Sequence, residues 1–258
     1  MVTETSRRNF FLAFLAAGSL GSVRAQPQPA QPYIPKQSDR PAPIEGDEEG
    51  FVSIFDGHTL DGWEGDPKYW RAADGIMTGE VTPETLLKSN TFLIWRGGAP
   101  EDFELKVDYR ITAGGNSGVN YRSVVVPDAV TPANRFAMSG YQCDIDGQNR
   151  YTGNNYEEKG RLFLAQRGDV THVTGTRLPV VLSRTGENQD LKRFLTDGWN
   201  AVHLVARGNI LLHSINGHLM SVTIDDDPKR ARTGLLGVQV HVGPPMRIEY
   251  RNWRLKKL

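Results

Sequence analysis

Apolar and polar residues alternate along much of this 258-residue chain. Phe103, Leu105, Val107 and Tyr109 fall on one parity and Glu104, Lys106, Asp108 and Arg110 on the other, the pattern of a strand with one face on a core and one in water. Similar runs recur at residues 118–124, 201–206, 210–215, 219–224, 235–242 and 247–255. Asn216-Gly217 stands between two of them, and both residues tolerate the positive φ of a two-residue hairpin turn. No amphipathic helical stretch of useful length and no internal repeat appears. Short antiparallel strands without helical crossovers predict an all-β fold of two packed sheets, a sandwich or jelly roll.

One strand carries residues that are costly to bury. In Gly140-Tyr141-Gln142-Cys143-Asp144-Ile145-Asp146, a period of two aims Gln142, Asp144 and Asp146 at one side of a sheet. Carboxylates about 6 to 7 Å apart resist joint ionisation unless water, a cation or a sugar hydroxyl lies over them. A solvated strand edge or a turn would accommodate the same residues, so this run alone does not decide. The stretch from Asp146 to Asp197 reads as the longest irregular region, and long loops in compact domains are usually functional or mobile. Within it Asn155-Tyr156-Glu157-Glu158-Lys159-Gly160-Arg161 concentrates an aromatic ring, two carboxylates and two cations; a surface turn with ion pairs is the simpler account of that segment by itself.

The N-terminal region changes the picture of where the protein works. Ser6-Arg7-Arg8-Asn9-Phe10-Phe11 is a twin-arginine pattern, followed by an apolar run and a small-residue site at Val23-Arg24-Ala25, which predicts an export signal over 1–25 and a periplasmic or secreted destination. The apolar run is roughly half a membrane span, so a removable signal is expected, with no membrane association after cleavage. Residues 26–49 are rich in Pro, Gln and acidic side chains and read as a linker, leaving a single domain over 50–258. Without residues 1–25 the chain holds 27 basic and 29 acidic side chains, a net charge of −2, which gives no reason to expect nucleic acid as a partner. Cys143 is the only cysteine, so no internal disulfide supports the fold.

Several fragments in fixed order carry a resemblance. Ser53-Ile54-Phe55-Asp56-Gly57-His58-Thr59-Leu60-Asp61-Gly62-Trp63 opens the domain. Asp102-Phe103-Glu104-Leu105, Gly115-Asn116-Ser117-Gly118-Val119-Asn120-Tyr121-Arg122, Gly198-Trp199-Asn200, Gly237-Val238-Gln239-Val240-His241 and Arg251-Asn252-Trp253-Arg254-Leu255 follow. Together they resemble the 3-keto-disaccharide hydrolase domain family across 51–258. The resemblance implies a concanavalin A-like jelly-roll β-sandwich of two antiparallel sheets, and a substrate that is a saccharide or glycoside oxidised to a ketone at C3. The chain departs from the family where many members carry Gly-Tyr-Glu-x-Gln: here Gly140-Tyr141-Gln142-Cys143-Asp144 displaces the carboxylate by two positions along the same face.

A C3 ketone acidifies the C2 proton, so cleavage by that route needs a base, a group that stabilises the enolate and an acid for the leaving group. The expected catalytic set is His241 or Glu157 as base or acid, Asp144 as metal ligand or partner of the imidazole, and Arg122 facing the carbonyl or enolate oxygen. Gln142, Gln239, Tyr156, Asn120 and Arg161 are expected to bind the sugar. A divalent metal ion would take Asp144 and Asp146; no organic cofactor is expected. Two other functions fit the residues, a conventional β-glucanase and a non-catalytic lectin-like module. An amide at Gln142 argues against the glucanase, because it can be neither nucleophile nor general acid.

Overall fold

The computed structural model describes residues 48–175 and 178–258. The expected export signal and nearly all of the expected linker lie outside the described residues. Glu48, assigned to that linker, already contacts the domain: its carboxylate meets Lys106 at 3.0 Å and Arg254 at 2.7 Å.

The molecule is a sandwich of two sheets, as the alternation predicts. The larger, ten-stranded sheet runs in the order β12 (Val180–Arg184), β11 (Asp169–Val173), β15 (His218–Asp225), β14 (Ile210–Ile215), β13 (Asn200–Arg207), β6 (Phe103–Ile111), β17 (Met246–Lys257), β4 (Ile76–Val81) and β3 (Trp70–Ala73), with β1 (Val52–Ser53) also paired to β17. The seven-stranded sheet runs β10 (Leu162–Ala165), β9 (Asn155–Glu158), β8 (Met138–Asp146), β7 (Asn116–Val125), β16 (Leu235–Val240), β5 (Thr91–Trp95) and β2 (Trp63–Glu64). Every pairing is antiparallel except β11 with β15. Asn216 and Gly217 take φ of 52° and 78° in the β14–β15 hairpin, the left-handed pair that such a turn requires.

The apolar parity of each strand faces the partner sheet. Phe103, Leu105 and Val107 of β6, Val202 and Leu204 of β13, Val119 of β7, Ile145 of β8 and Val238 of β16 are all at most 1% exposed. Trp63 packs on Trp253 with ring centroids 4.8 Å apart. A histidine inside this layer is paired: His213 meets the Tyr121 hydroxyl at 2.8 Å, and burial pushes its pKa down to about 4, so the ring is neutral in the core.

The stretch from Asp146 to Asp197 is not irregular. It folds as β9, β10, β11, β12 and a short helix α1 (Asn188–Lys192). Its strands escape pattern reading because they are four or five residues long, two of their pairings slip register, and all five residues of β12 are exposed, so nothing alternates there.

Arg122 has a structural assignment in place of the expected role toward an enolate. It sits at φ 44° where the β7–β8 register slips between Tyr121 and Val124, and the slip swings its side chain off the polar parity. The guanidinium is 1% exposed and donates to the Glu101 carbonyl, the Gly208 carbonyl and the Asp102 carboxylate at 2.8, 2.8 and 3.0 Å. Replacing it takes the donor from two backbone carbonyls and leaves Asp102 with only the Gly208 N–H. Arg122→Met should cost on the order of 3 kcal/mol, read as a fall of roughly 10 °C in Tm. An unchanged Tm with lost activity would return Arg122 to the chemistry.

Candidate functional site

Register builds one transverse row across the smaller sheet. Gly237 of β16 lies opposite Asn120 of β7, Asn120 opposite Gln142 of β8, and Gln142 opposite Tyr156 of β9. One pleat further along, Gln239 and Asp144 share this face, as does Glu158 in the other direction. Room for the Gln142 side chain comes from Gly118 on the neighbouring strand: a Cβ there would lie 2.5 Å from its Cγ and Cδ. Asn120 and Gln239 are 0% exposed, Gln142 3%, and Asp144 and Glu158 8% each.

The face is deeply curved. Glu158 and Gln239 stand four positions and three strands apart in register, about 20 Å in a flat sheet at ~3.3 Å per residue and ~4.8 Å per strand. Their side chains nonetheless hydrogen-bond, Gln239 Nε2 donating to Glu158 Oε2 at 3.2 Å. Asn90 Nδ2, from the segment before β5, donates to Glu158 Oε1 at 3.4 Å. Positive φ at Arg122 and Gly140 and the register slip beside them supply the bend that folds this corner of the sheet over its own polar face.

Electrostatics on the concave face follow from that enclosure. Burial pushes Asp144 up to about 8 against the hydrogen bond from Gln142 Nε2 at 2.8 Å, and the neighbouring Asp146 and Glu158 charges raise it further. Burial also raises Glu158, opposed by the amide donors Asn90 and Gln239 and by the charges of His241 and Lys159. The Tyr156 phenol, in the same row, is raised by burial and by both carboxylates. Four amide atoms here have no protein partner: Asn120 Nδ2 and Oδ1, Gln142 Oε1 and Gln239 Oε1. Buried amides left unpaired cost about 1–3 kcal/mol each, so this surface is built to meet something with hydroxyls or carbonyls.

Of the residues picked from sequence, Asn120, Gln142, Asp144, Tyr156 and Gln239 come together on this face, with His241 at its rim just past the end of β16. The His241 Nδ1 hydrogen-bonds the Val242 carbonyl at 2.6 Å, so a backbone oxygen holds the ring; Asp144 is bonded to Gln142 and not to the imidazole. Glu157 and Arg161 do not join them. Adjacent residues on a strand point to opposite faces, and Glu157 therefore turns away from the side that Tyr156 and Glu158 occupy. It binds Arg161 at 2.7 Å, and Arg161 also meets Asp225 at 2.7 Å and Asp227 at 3.2 Å, a closed ion cluster that holds the guanidinium away from any sugar. Glu158 and Asn90 were missed. Parity would have found Glu158 once Tyr156 was placed on the site; Asn90 had no such signal, because only the fold brings it across.

Asp146 is committed elsewhere as well. Its carboxylate accepts from the Gln148 and Tyr151 backbone N–H groups at 3.1 and 2.6 Å and shapes the turn after β8, so it does not pair with Asp144 as a ligand. Among the described residues no group of three or more His, Cys, Asp or Glu side chains could hold a metal ion. A cleft of about 500 Å³ lined by Tyr69, Leu86, Lys88, Asn134, Arg135 and Phe136 opens beside Asn90, but neither carboxylate lines it.

A jelly-roll sandwich whose concave sheet carries unpartnered amides and two enclosed carboxylates defines a protein with a built site for a polar ligand. The chain belongs to the 3-keto-alpha-glucoside-1,2-lyase-like domain family, whose model matches residues 50–256. A segment of 82 residues is 33% identical to a 3-keto-disaccharide hydrolase of Bacteroides thetaiotaomicron, and the match spans 29% of this chain and 28% of that relative. In fold, the chain is similar to a candidate glycosyl hydrolase from Parabacteroides distasonis, with TM-score 0.51, 20% identity and coverage of 85% of this chain and 99% of that one. A galectin-like protein of unknown function from Bacillus subtilis aligns with TM-score 0.52, 13% identity and coverage of 77% and 90%. These two likenesses speak to the sandwich alone. No helix among the described residues is long and apolar enough to cross a membrane.

The raised carboxyls tie stability to pH. A carboxyl whose pKa is higher folded than unfolded stabilises most below its unfolded value near 4, and that contribution is lost as pH rises through the folded value. For Asp144 the window runs from about 4 to about 8. Tm of the wild-type protein should therefore fall between pH 5 and pH 8, and Asp144→Asn should flatten that slope by a few degrees across the window. Melting curves at four pH values decide it; equal slopes would mean that Asp144 titrates as an exposed carboxyl.

Proposed function

We propose that the protein cleaves glycosides carrying a ketone at C3 of the sugar ring, by removing the C2 proton and eliminating the C1 substituent. The observation that carries this reading is the unequal environment of two carboxyls on one enclosed face. Burial raises both, but Glu158 receives two amide hydrogen bonds that favour its charged form, while Asp144 has one and is pushed toward neutrality. Such a separation suits one group to take a proton and the other to give one.

In this reading Glu158 accepts the C2 proton and the electron pair forms an enolate on the C3 oxygen. Asn120 Nδ2, buried and without a partner, is the free donor for that oxygen in the place once expected of Arg122. Collapse of the enolate restores the ketone, forms the C1–C2 double bond and breaks the C1–O bond, and Asp144 protonates the departing oxygen. Water adding across the double bond completes hydrolysis; release before that step makes the enzyme a lyase. Gln142 Oε1 and Gln239 Oε1 accept from sugar hydroxyls, and His241 closes the rim. The groups on this face that would hold a hard divalent cation are the carboxylates and the amide oxygens, and such an ion would supply polarisation of the ketone. On the strength of Arg7-Arg8 and the apolar run after it, we place the reaction outside the cytoplasm.

The purified protein should turn over a 3-keto-glucoside and leave the parent glucoside nearly untouched, since only the ketone makes C2 acidic. Glu158→Gln and Asp144→Asn should each lower turnover by roughly 100-fold or more. Glu157→Gln should act on melting temperature before it acts on turnover. Deuterium should enter C2 from solvent during reaction. Comparable activity on the unoxidised glucoside would support the glucanase instead, tight binding without turnover the lectin-like module, and full activity after chelation would remove the cation.

A further inference from the structure

The transverse row does not stop at Tyr156. Its next member is Phe163 of β10, directly opposite Tyr156 in register and therefore on the same side of the sheet. The Phe163 ring meets Tyr156 at 5.1 Å edge to face, and Tyr151, from the turn after β8, at 5.8 Å with the planes 31° apart. Phe163 is 42% exposed and Tyr151 38%. Three aromatic rings thus run outward from the carboxylates to the open edge of the smaller sheet, the inner one shared with the catalytic face and the outer two in solvent.

This edge is held in place. Lys159 and Leu162 adopt φ of 53° and 67°, and Arg161 clamps Glu157 with Nε to Oε2 at 2.7 Å and Nη2 to Oε1 at 2.9 Å. On the other side, the backbone N–H of Tyr151 is fixed by the Asp146 carboxylate. A rigid exposed aromatic step pays little ordering entropy when a flat ring settles on it.

We propose that Tyr156, Phe163 and Tyr151 form a second subsite that stacks the ring of the leaving group, pyranose or aryl. It rests on the reading of the concave face as the place where a sugar is cleaved, and extends it to a substrate class: glycosides whose C1 substituent carries a ring are preferred over those with a small alkyl group. The geometry gives the reason. A sugar seated over Asn120, Gln142 and Asp144 would direct one of its substituents along the row, and stacking is the interaction these side chains offer.

The test compares methyl glucoside, phenyl glucoside and a glucosyl-glucose disaccharide, none of which needs to be turned over, by saturation-transfer NMR titration of the full-length protein. Phe163→Ala and Tyr151→Ala, both at exposed positions, should weaken the phenyl glucoside, the disaccharide or both by roughly three- to tenfold relative to the methyl glucoside. Loss for the phenyl compound alone assigns an aryl leaving group, loss for the disaccharide a second sugar. Val52→Ala, at an exposed position on β1 beside β17 and away from β10, should leave the ratios as they are. With the 3-keto forms of the same compounds, the loss should appear in KM. Equal weakening of all three probes, no weakening, or no binding of any ring-bearing probe to the wild-type protein overturns the subsite. Absence of turnover with intact differential binding overturns the proposed reaction and leaves the subsite standing.

Discussion

The concave face depends on one buried guanidinium. Arg122 enters a left-handed conformation where β7 and β8 lose register and anchors the bend with three acceptors drawn from two other segments. A buried cation is costly unless its donors find acceptors; here Nε and both terminal nitrogens each find one, so the arginine and the bend support each other. Without the bend, Glu158 would lie far from Gln239 and Asn90, and the face would be an open sheet with solvated carboxylates. Raised pKa values, enclosed amides and the aromatic exit all follow from that curvature.

Enclosure has an energetic cost that the fold carries elsewhere. Unpartnered amide atoms on Asn120, Gln142 and Gln239, and a carboxyl forced toward neutrality at Asp144, are unfavourable in the folded state by themselves. They are offset by a core in which large side chains such as Trp253, Phe103 and Ile94 are almost completely removed from water. His213, Arg161 and Asp146 have their hydrogen-bonding directions occupied by the protein, whereas the amides of the concave face do not.

Strand parity makes the same division between neighbours. Glu157 and Glu158 are chemically identical and adjacent, yet one closes an ion cluster with Arg161 and the other joins Asp144, Gln239 and Asn90. Tyr156 and Phe163, across from each other on β9 and β10, stay with Glu158. A single turn, held by the Glu157–Arg161 pair, thus supports the aromatic edge from behind.

The sequence by itself determined whatever rests on a period of two within one uninterrupted strand. It placed Gln142 with Asp144, put Asn120 on a core-flanking strand, aligned Gln239 with the same polar side, and required two packed sheets, because alternating apolar residues have no other way to leave water. Tertiary structure decided everything that crosses a break in that period. The register slip at Arg122 reversed the direction of its side chain, the end of β16 at Val240 left His241 to be oriented by a backbone carbonyl, and curvature delivered Asn90 and Glu158 to the same carboxylate site from opposite corners of the sheet. The physical reason is that alternation is a local property of the backbone, whereas bulges and bends are fixed by contacts between segments far apart in the chain.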